Sequence, residues 1–361
     1  MGIFTAMKNK LPNIIALSII PQIIIVRWLA KNPDWIEKYY SNGIYPVISK
    51  FFRTLFGWLP FSVGDIIYGA LIIFAIRYLV VSRKYIRRHF LLFLRDIVLV
   101  LSVAYFTFHL LWGLNYYRRP LNKQLGIEIT YTKEELVDLT KKLIDKTNEI
   151  HIQITSDTAQ IVEIPYSKNQ ILKLSKGGYQ NLEKSFPKWK YQKPSIKKSL
   201  FSTALSYMGY GGYLNPFTNE AQVNGRIPKF RDPFVSSHEI GHQIGYSAEN
   251  ETNFIGYLAA AKHEDIYFRY SANTYVLGYC LNDLQRSDEN TFEELYASLN
   301  PGILKNYEEV ADFWAAHENP LEPVFKSIFN SFLKANNQKD GIESYNKVVA
   351  LLVNYHKKNP L

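Results

Sequence analysis

Two histidines four residues apart, with a glutamate directly after the first, form the group best suited to chemistry in this 361-residue chain. They lie in Ser236-Ser237-His238-Glu239-Ile240-Gly241-His242-Gln243. On a helix, residues four apart share a face, so His238 and His242 can place two imidazoles on one zinc ion. Glu239 sits one position along, close to the metal but directed aside, as suits a general base. Zinc lowers the pKa of water to about 7, and a nearby carboxylate can take the proton as hydroxide attacks a carbonyl. A bare HExxH arises by chance in on the order of one chain in a hundred of this length, so context must carry weight. Gly241 allows close packing beside the metal, and Gly245 stands where the helix should end. Ser247 can cap a second helix whose first turn holds Glu249 and Glu251.

A catalytic zinc takes three protein ligands and keeps one position open. Glu251 shares a helical stripe with Ile255 and Leu258, beside Phe254. That apolar stripe should face inward, and a buried carboxylate needs a partner such as a metal. Glu251 is therefore the expected third ligand. Glu249 is the alternative, on the more polar line of Asn253 and Gly256, where it can instead serve as favourable charge at a helix N-terminus. His263 is a later alternative, in a Lys-His-Glu-Asp setting that reads as solvated surface.

These residues need elements to position them. Upstream, Tyr207 to Asn224 is too rich in Gly and aromatics for a helix and reads as a bent strand or hairpin. An edge strand there can pair with extended peptide, with Asn215 and Glu220 as possible cleft residues. Tyr345 is a candidate oxyanion donor. Thr132 to Glu135 is a capping box opening a helix through about Ile152, and Ser167 can cap another ending near Pro187. Glu293 to His356 reads as several amphipathic helices.

The first 120 residues read differently. Apolar runs cover about 14–30, 61–81 and 97–114, each approaching the roughly 20 residues that cross a bilayer core. The first lacks a small-residue cleavage site and reads as an uncleaved anchor rather than a signal peptide. Arg83, Lys84, Arg87 and Arg88 crowd the loop between the second and third runs, which should be cytoplasmic and leave residues 121–361 outside. Within the runs, Asp65, Arg77 and His109 read chiefly as structural. Residues 1–120 hold 15 Lys and Arg against 4 Asp and Glu, and the remainder holds 27 against 28. The basic excess of +10 thus belongs to membrane topology, and no face for nucleic acid is implied. The lone cysteine, Cys280, excludes an intrachain disulfide and reads as core.

The chain resembles a bacterial membrane-protein family, the domain-of-unknown-function family 3810. The matching pieces are Trp112-Gly-Leu-Asn-Tyr116, Asn215 to Asn224, the His238 motif, Glu249-x-Glu251-x-Asn253-Phe254 and Gly341-Ile-Glu-Ser-Tyr345. The segment after the motif also resembles zincins whose third ligand is a glutamate opening the following helix. The family commonly has Ala where this chain has Thr252, a small change beside the proposed ligands. The resemblance implies a mainly α chain: three transmembrane helices, then a helix-rich α+β zincin-like domain with a small sheet. It implies no substrate.

The expected function is a zinc metallopeptidase in the bacterial cytoplasmic membrane, in contact with lipid and acting on a peptide or protein outside the cytoplasm. The competing expectation is a non-catalytic sensor or binding protein on the same fold, although Glu239 would then be superfluous. An intramembrane protease is disfavoured, because Arg231, Asp232 and Gln243 surround the motif in place of an apolar span.

Overall fold

A computed structural model describes residues 2–338 and 347–361. Among the described residues, three helices are long and apolar enough to cross a membrane: Lys10–Ala30, Val63–Val81 and Phe90–Leu111. The first ends in α1 (Ile19–Ala30). Next comes α2 (Tyr45–Phe56), then α3 (Val63–Val81) and α4 (Phe90–Leu111). The third run starts earlier than its apolar stretch suggests because Arg95 and Asp96 neutralise each other at 2.6 Å. It stops earlier too, where a 3-10 turn, Gly113–Tyr117, follows Trp112. The first and third spans are clasped by a polar cluster. Ser18 and Ser102 hydroxyls lie 3.0 Å apart, and Gln22 Nε2 donates to both at 3.0 Å. Small polar residues at such a crossing let helices pair within an apolar medium.

The α2 helix was not expected as a membrane element. It buries Ser49 and Arg53 and exposes Val47, Phe51 and Leu55. Its polar side faces the protein and its apolar side faces out, the reverse of a helix on a water-soluble domain. That arrangement suits a helix lying along a bilayer surface.

Beyond Pro120 the chain is helical around one small sheet. The capping box holds α5 (Lys133–Thr155): the Glu135 N–H donates to Thr132 Oγ1 at 3.3 Å and the Thr132 N–H to Glu135 Oε2 at 2.9 Å. Ser167 likewise caps Lys168–Leu174, with a break at Ser175 before Lys176–Ser185. The strands are β1 (Ile196–Lys198), β2 (Gly212–Asn215) and β3 (Glu220–Val223), in the order β1-β3-β2. β2 and β3 form the expected hairpin, antiparallel, with β2 at an edge; β1 runs parallel to β3. After the sheet come α6 (Asp232–Gln243), α7 (Glu249–Ala261) and α8 (Ile266–Ser287), then α9 (Glu322–Ala335) and α10 (Val348–His356).

The main core gathers around α5 to α8 and α10, and includes Phe254, Phe268, Leu277 and the buried thiol of Cys280. A second core joins Leu29, Tyr40, Tyr45, Trp112 and Tyr116 to Leu214 on β2 and Leu333 on α9. The two parts separated by composition at Pro120 therefore share packed side chains.

Candidate metal centre

α6 carries His238, Glu239 and His242, and every one of its residues is buried. Its end is held by groups from far away in sequence. Gln243 O accepts from Tyr45 Oη at 2.8 Å and Ser49 Oγ at 3.0 Å, and His242 O accepts from Trp112 Nε1 at 3.2 Å. Arg118 Nη1 reaches Gly245 O at 2.7 Å. These bonds satisfy the last carbonyls of the helix, which have no partner within it. Gly245, at φ +93°, makes the turn as expected; other residues rarely adopt that backbone. The Gln243 side chain donates to Ser195 O at 2.9 Å and Asn219 O at 2.7 Å, fixing α6 to the sheet.

α7 crosses α6 with Gly256 at the contact, where a Cβ would stand 2.9 Å from the His238 N and Cα. That approach brings Glu249, two turns earlier on the same face, onto the imidazoles. Its Oε2 lies 3.3 Å from His238 Nε2 and 3.6 Å from His242 Nε2, and the two Nε2 atoms stand 3.1 Å apart. Donors about 2.1 Å from a tetrahedral ion lie about 3.4 Å from one another, so the trio has the spacing of a small divalent cation's ligands. Among the described residues, this is the group of His, Cys, Asp and Glu side chains with ligand-like convergence. Glu249 Oε2 has no hydrogen-bond partner despite its burial, as befits an atom reserved for an ion. His242 Nδ1 lies 2.7 Å from Tyr246 O; a proton there leaves the Nε2 lone pair facing the centre.

Burial alone would raise the pKa of Glu249, but the facing imidazoles, His242 foremost and then His238, hold it well below the usual carboxylate range. For His242, burial works to lower the value, and Glu249 and Glu239 outweigh it, raising it to about 9. His238 is lowered, by burial first. Glu239 does not join the trio. Burial pushes its carboxyl up to about 8, with Glu249 adding to the effect and His242 opposing it. Its Oε2 is also buried without a partner.

Glu251, the expected ligand, points elsewhere. Its Oε1 accepts from the Leu121 N–H at 2.6 Å. Burial pushes it up to about 7, opposed by Leu121 and Arg118. The stripe did not pick out the side that faces the imidazoles because α7 is buried on nearly all sides. An apolar stripe marks burial, not which buried face meets His238 and His242. The line of small and polar residues, Glu249, Asn253 and Gly256, is the one that meets α6.

Asn215 and Glu220 both turn away from the cleft. Asn215 Oδ1 accepts from the Phe217 and Thr218 N–H groups at 3.0 and 3.2 Å, closing the hairpin turn. Glu220 accepts from the Val63 and Gly64 N–H groups at 3.2 and 2.6 Å and so caps the membrane helix α3. Asp65 also serves this joint, accepting from Ser199 Oγ at 2.9 Å, the Leu200 N–H at 2.6 Å and the Tyr213 hydroxyl. Tyr345 lies outside the described residues. His263 is buried rather than solvated, its ring against Phe268 and its Nε2 3.1 Å from Leu174 O. His109 is buried with Nδ1 2.9 Å from Tyr105 O.

A cavity of about 1100 Å³ opens over the trio. His238, Glu239, His242 and Glu249 line it, as do Tyr210 and Tyr279. Sequence reasoning passed over these two tyrosines. The Glu249 charge adds to burial in raising both phenols, that of Tyr210 up to about 12, so each stays protonated and able to donate at neutral pH. β2 borders the same space: a Cβ on Gly212 would stand 2.6 Å from Glu239 Oε1.

Residues 40–353 match a family described as a protein of unknown function (DUF3810), and the chain belongs to that family. No curated protein matches it, and no solved structure does.

Proposed function

We propose that the chain is a membrane-anchored, zinc-dependent peptidase. The observation that carries this reading is the division of labour at α6. Three buried donors converge at ligand spacing, while a fourth group, the Glu239 carboxylate, stands apart with an unpartnered oxygen at the same cavity. Zinc held by His238, His242 and Glu249 would supply Lewis acidity and a water of lowered pKa. Glu239, raised in pKa, is fitted to take a proton from the attacking water and pass it to the amide nitrogen. The water oxygen bonds to the carbonyl carbon, the C–N bond breaks, and a carboxylic acid and an amine leave. Tyr210, a lining phenol that stays protonated, would be the candidate donor of a hydrogen bond to the carbonyl oxygen as its charge grows. The edge strand β2, beside Glu239, suits an extended peptide laid antiparallel along it.

The ends of the helices support an extracytoplasmic placement. Val63 at the start of α3, and Trp112 just after α4, both contact the sheet-and-helix domain. The basic stretch Arg83–Arg88 lies at the opposite ends of those helices, as expected of a cytoplasmic loop. The test uses the full chain in detergent. Wild type should hold one zinc per chain, and His238→Ala should lose it. Glu239→Gln should keep zinc while peptide hydrolysis falls by at least about a hundredfold. A wild type without stoichiometric metal, or a fully active Glu239→Gln, overturns the reading.

A further inference from the structure

The cavity over the metal centre does not stop at the water-facing domain. Its lining also takes in Leu71 and Ile72 of α3, and Phe108 of α4 beside Trp112. Leu71 and Ile72 are 58% and 55% exposed on a helix apolar enough to span a bilayer. Gly64 is bonded to Glu220 at the domain joint, and Leu71 lies seven residues further on, about 10 Å along the helix axis. One cavity therefore has both the imidazoles and these outward, apolar side chains in its lining. The α9 helix borders it with Phe329 and Phe332 while exposing Val324 and Ile328, the habit of a helix resting in a membrane surface.

Apart from the charged Arg231 and Lys326, the lining is chiefly apolar. Tyr68, Phe201, Leu205, Met208 and Phe332 offer one hydroxyl among them. An extended peptide threaded through would leave its N–H and C=O groups without partners, which an apolar medium penalises heavily. A helix would keep its backbone bonded but would not present an open amide to Glu239. A saturated hydrocarbon chain needs no partner and matches the walls.

We propose that the substrate is a lipid-modified peptide whose long alkyl chain enters this cavity from the bilayer while its peptide part lies along β2. The word substrate rests on the peptidase reading above; occupancy of the cavity does not, and the test separates them. The full chain is placed in phosphatidylcholine nanodiscs with an N-palmitoylated peptide carrying a diazirine midway along the acyl chain. Illumination should give adducts on cavity residues such as Phe201 and Phe332. Ala204→Trp and Leu71→Trp place an indole at exposed positions that line the cavity, so the core need not repack. Denying burial to two methylenes corresponds to about a tenfold loss of occupancy, so each variant should lower these adducts by that factor. Both should keep the wild-type melting temperature and metal content. Adducts confined to outward residues absent from the cavity, such as Ile73 and Val100, would overturn the proposal. So would cavity adducts that neither variant reduces, or equal labelling by a diazirine phosphatidylcholine that the palmitoyl peptide does not displace. Because labelling is read without hydrolysis, an inactive or metal-free protein would fail the peptidase reading and leave this result standing.

Discussion

Glu249 and Glu251 sit two positions apart on one helix, and about 200° of rotation sends them to different partners. Glu249 meets two imidazoles; Glu251 meets the Leu121 N–H beside Arg118. Replacing a ligating carboxylate by an amide removes its charge from the ion. Glu249→Gln should therefore weaken metal retention by at least about a hundredfold. Glu251→Gln keeps an acceptor for Leu121 and should retain metal at the wild-type level. Metal content after dialysis against a chelator reads both, and loss from Glu251→Gln alone would reverse the assignment. The His238, Glu239 and His242 cluster was legible because its spacing is local to one helix. The choice between the two glutamates was not, since it depends on which face of a wholly buried helix meets a neighbour. The clue was present in Gly256, seven residues after Glu249, where the absence of a side chain marks the face of closest approach.

At the level of elements, the α6–α7 crossing sets the position of all three donors. A methyl group at Gly256 would press on the His238 backbone at 2.9 Å, and backbone yields less readily than a flexible side chain. Gly256→Ala should cost about 1–3 kcal/mol, read as a lowered melting temperature of the full chain. An unchanged melt would mean that the helices separate freely. The capping box at Thr132 and the cap at Ser167 were readable because each closes within four residues. The α2 helix was not. Its period defines a polar and an apolar side, but period alone does not say which side faces water. Only the partners of Ser49, namely Asn219 at 2.8 Å and Gln243 O at 3.0 Å, reveal that the polar side is inside. Glu220 was misjudged for a related reason: a buried acid near a cleft and a buried acid capping a remote helix look alike until the helix is in place.

For the whole molecule, the composition break at Pro120 is real, yet it does not divide the packing. Tyr45, Ser49, Trp112 and Arg118 supply the bonds that finish α6. Residues 121–361 made alone would lose those bonds and leave the second core without Tyr40, Tyr45, Trp112 and Tyr116. Such a fragment should hold no stoichiometric metal and should lack a cooperative thermal transition. A folded, metal-bearing fragment would show that the membrane third acts only as a tether.

The bond from Tyr45 to Gln243 spans 198 residues, and that separation imposes an order on biosynthesis. The ribosome releases the helices that abut α6 long before it releases α6 itself. Tyr45 and Trp112 can be seated in the bilayer while the histidines are still unmade. The trio of His238, His242 and Glu249 then completes against a surface already in place, and α10, which packs Tyr355 on Phe254, arrives last. All three donors are thereby present only once residue 249 has been made. An arrested nascent chain that ends before Glu249 would carry two of the donors and lack the third.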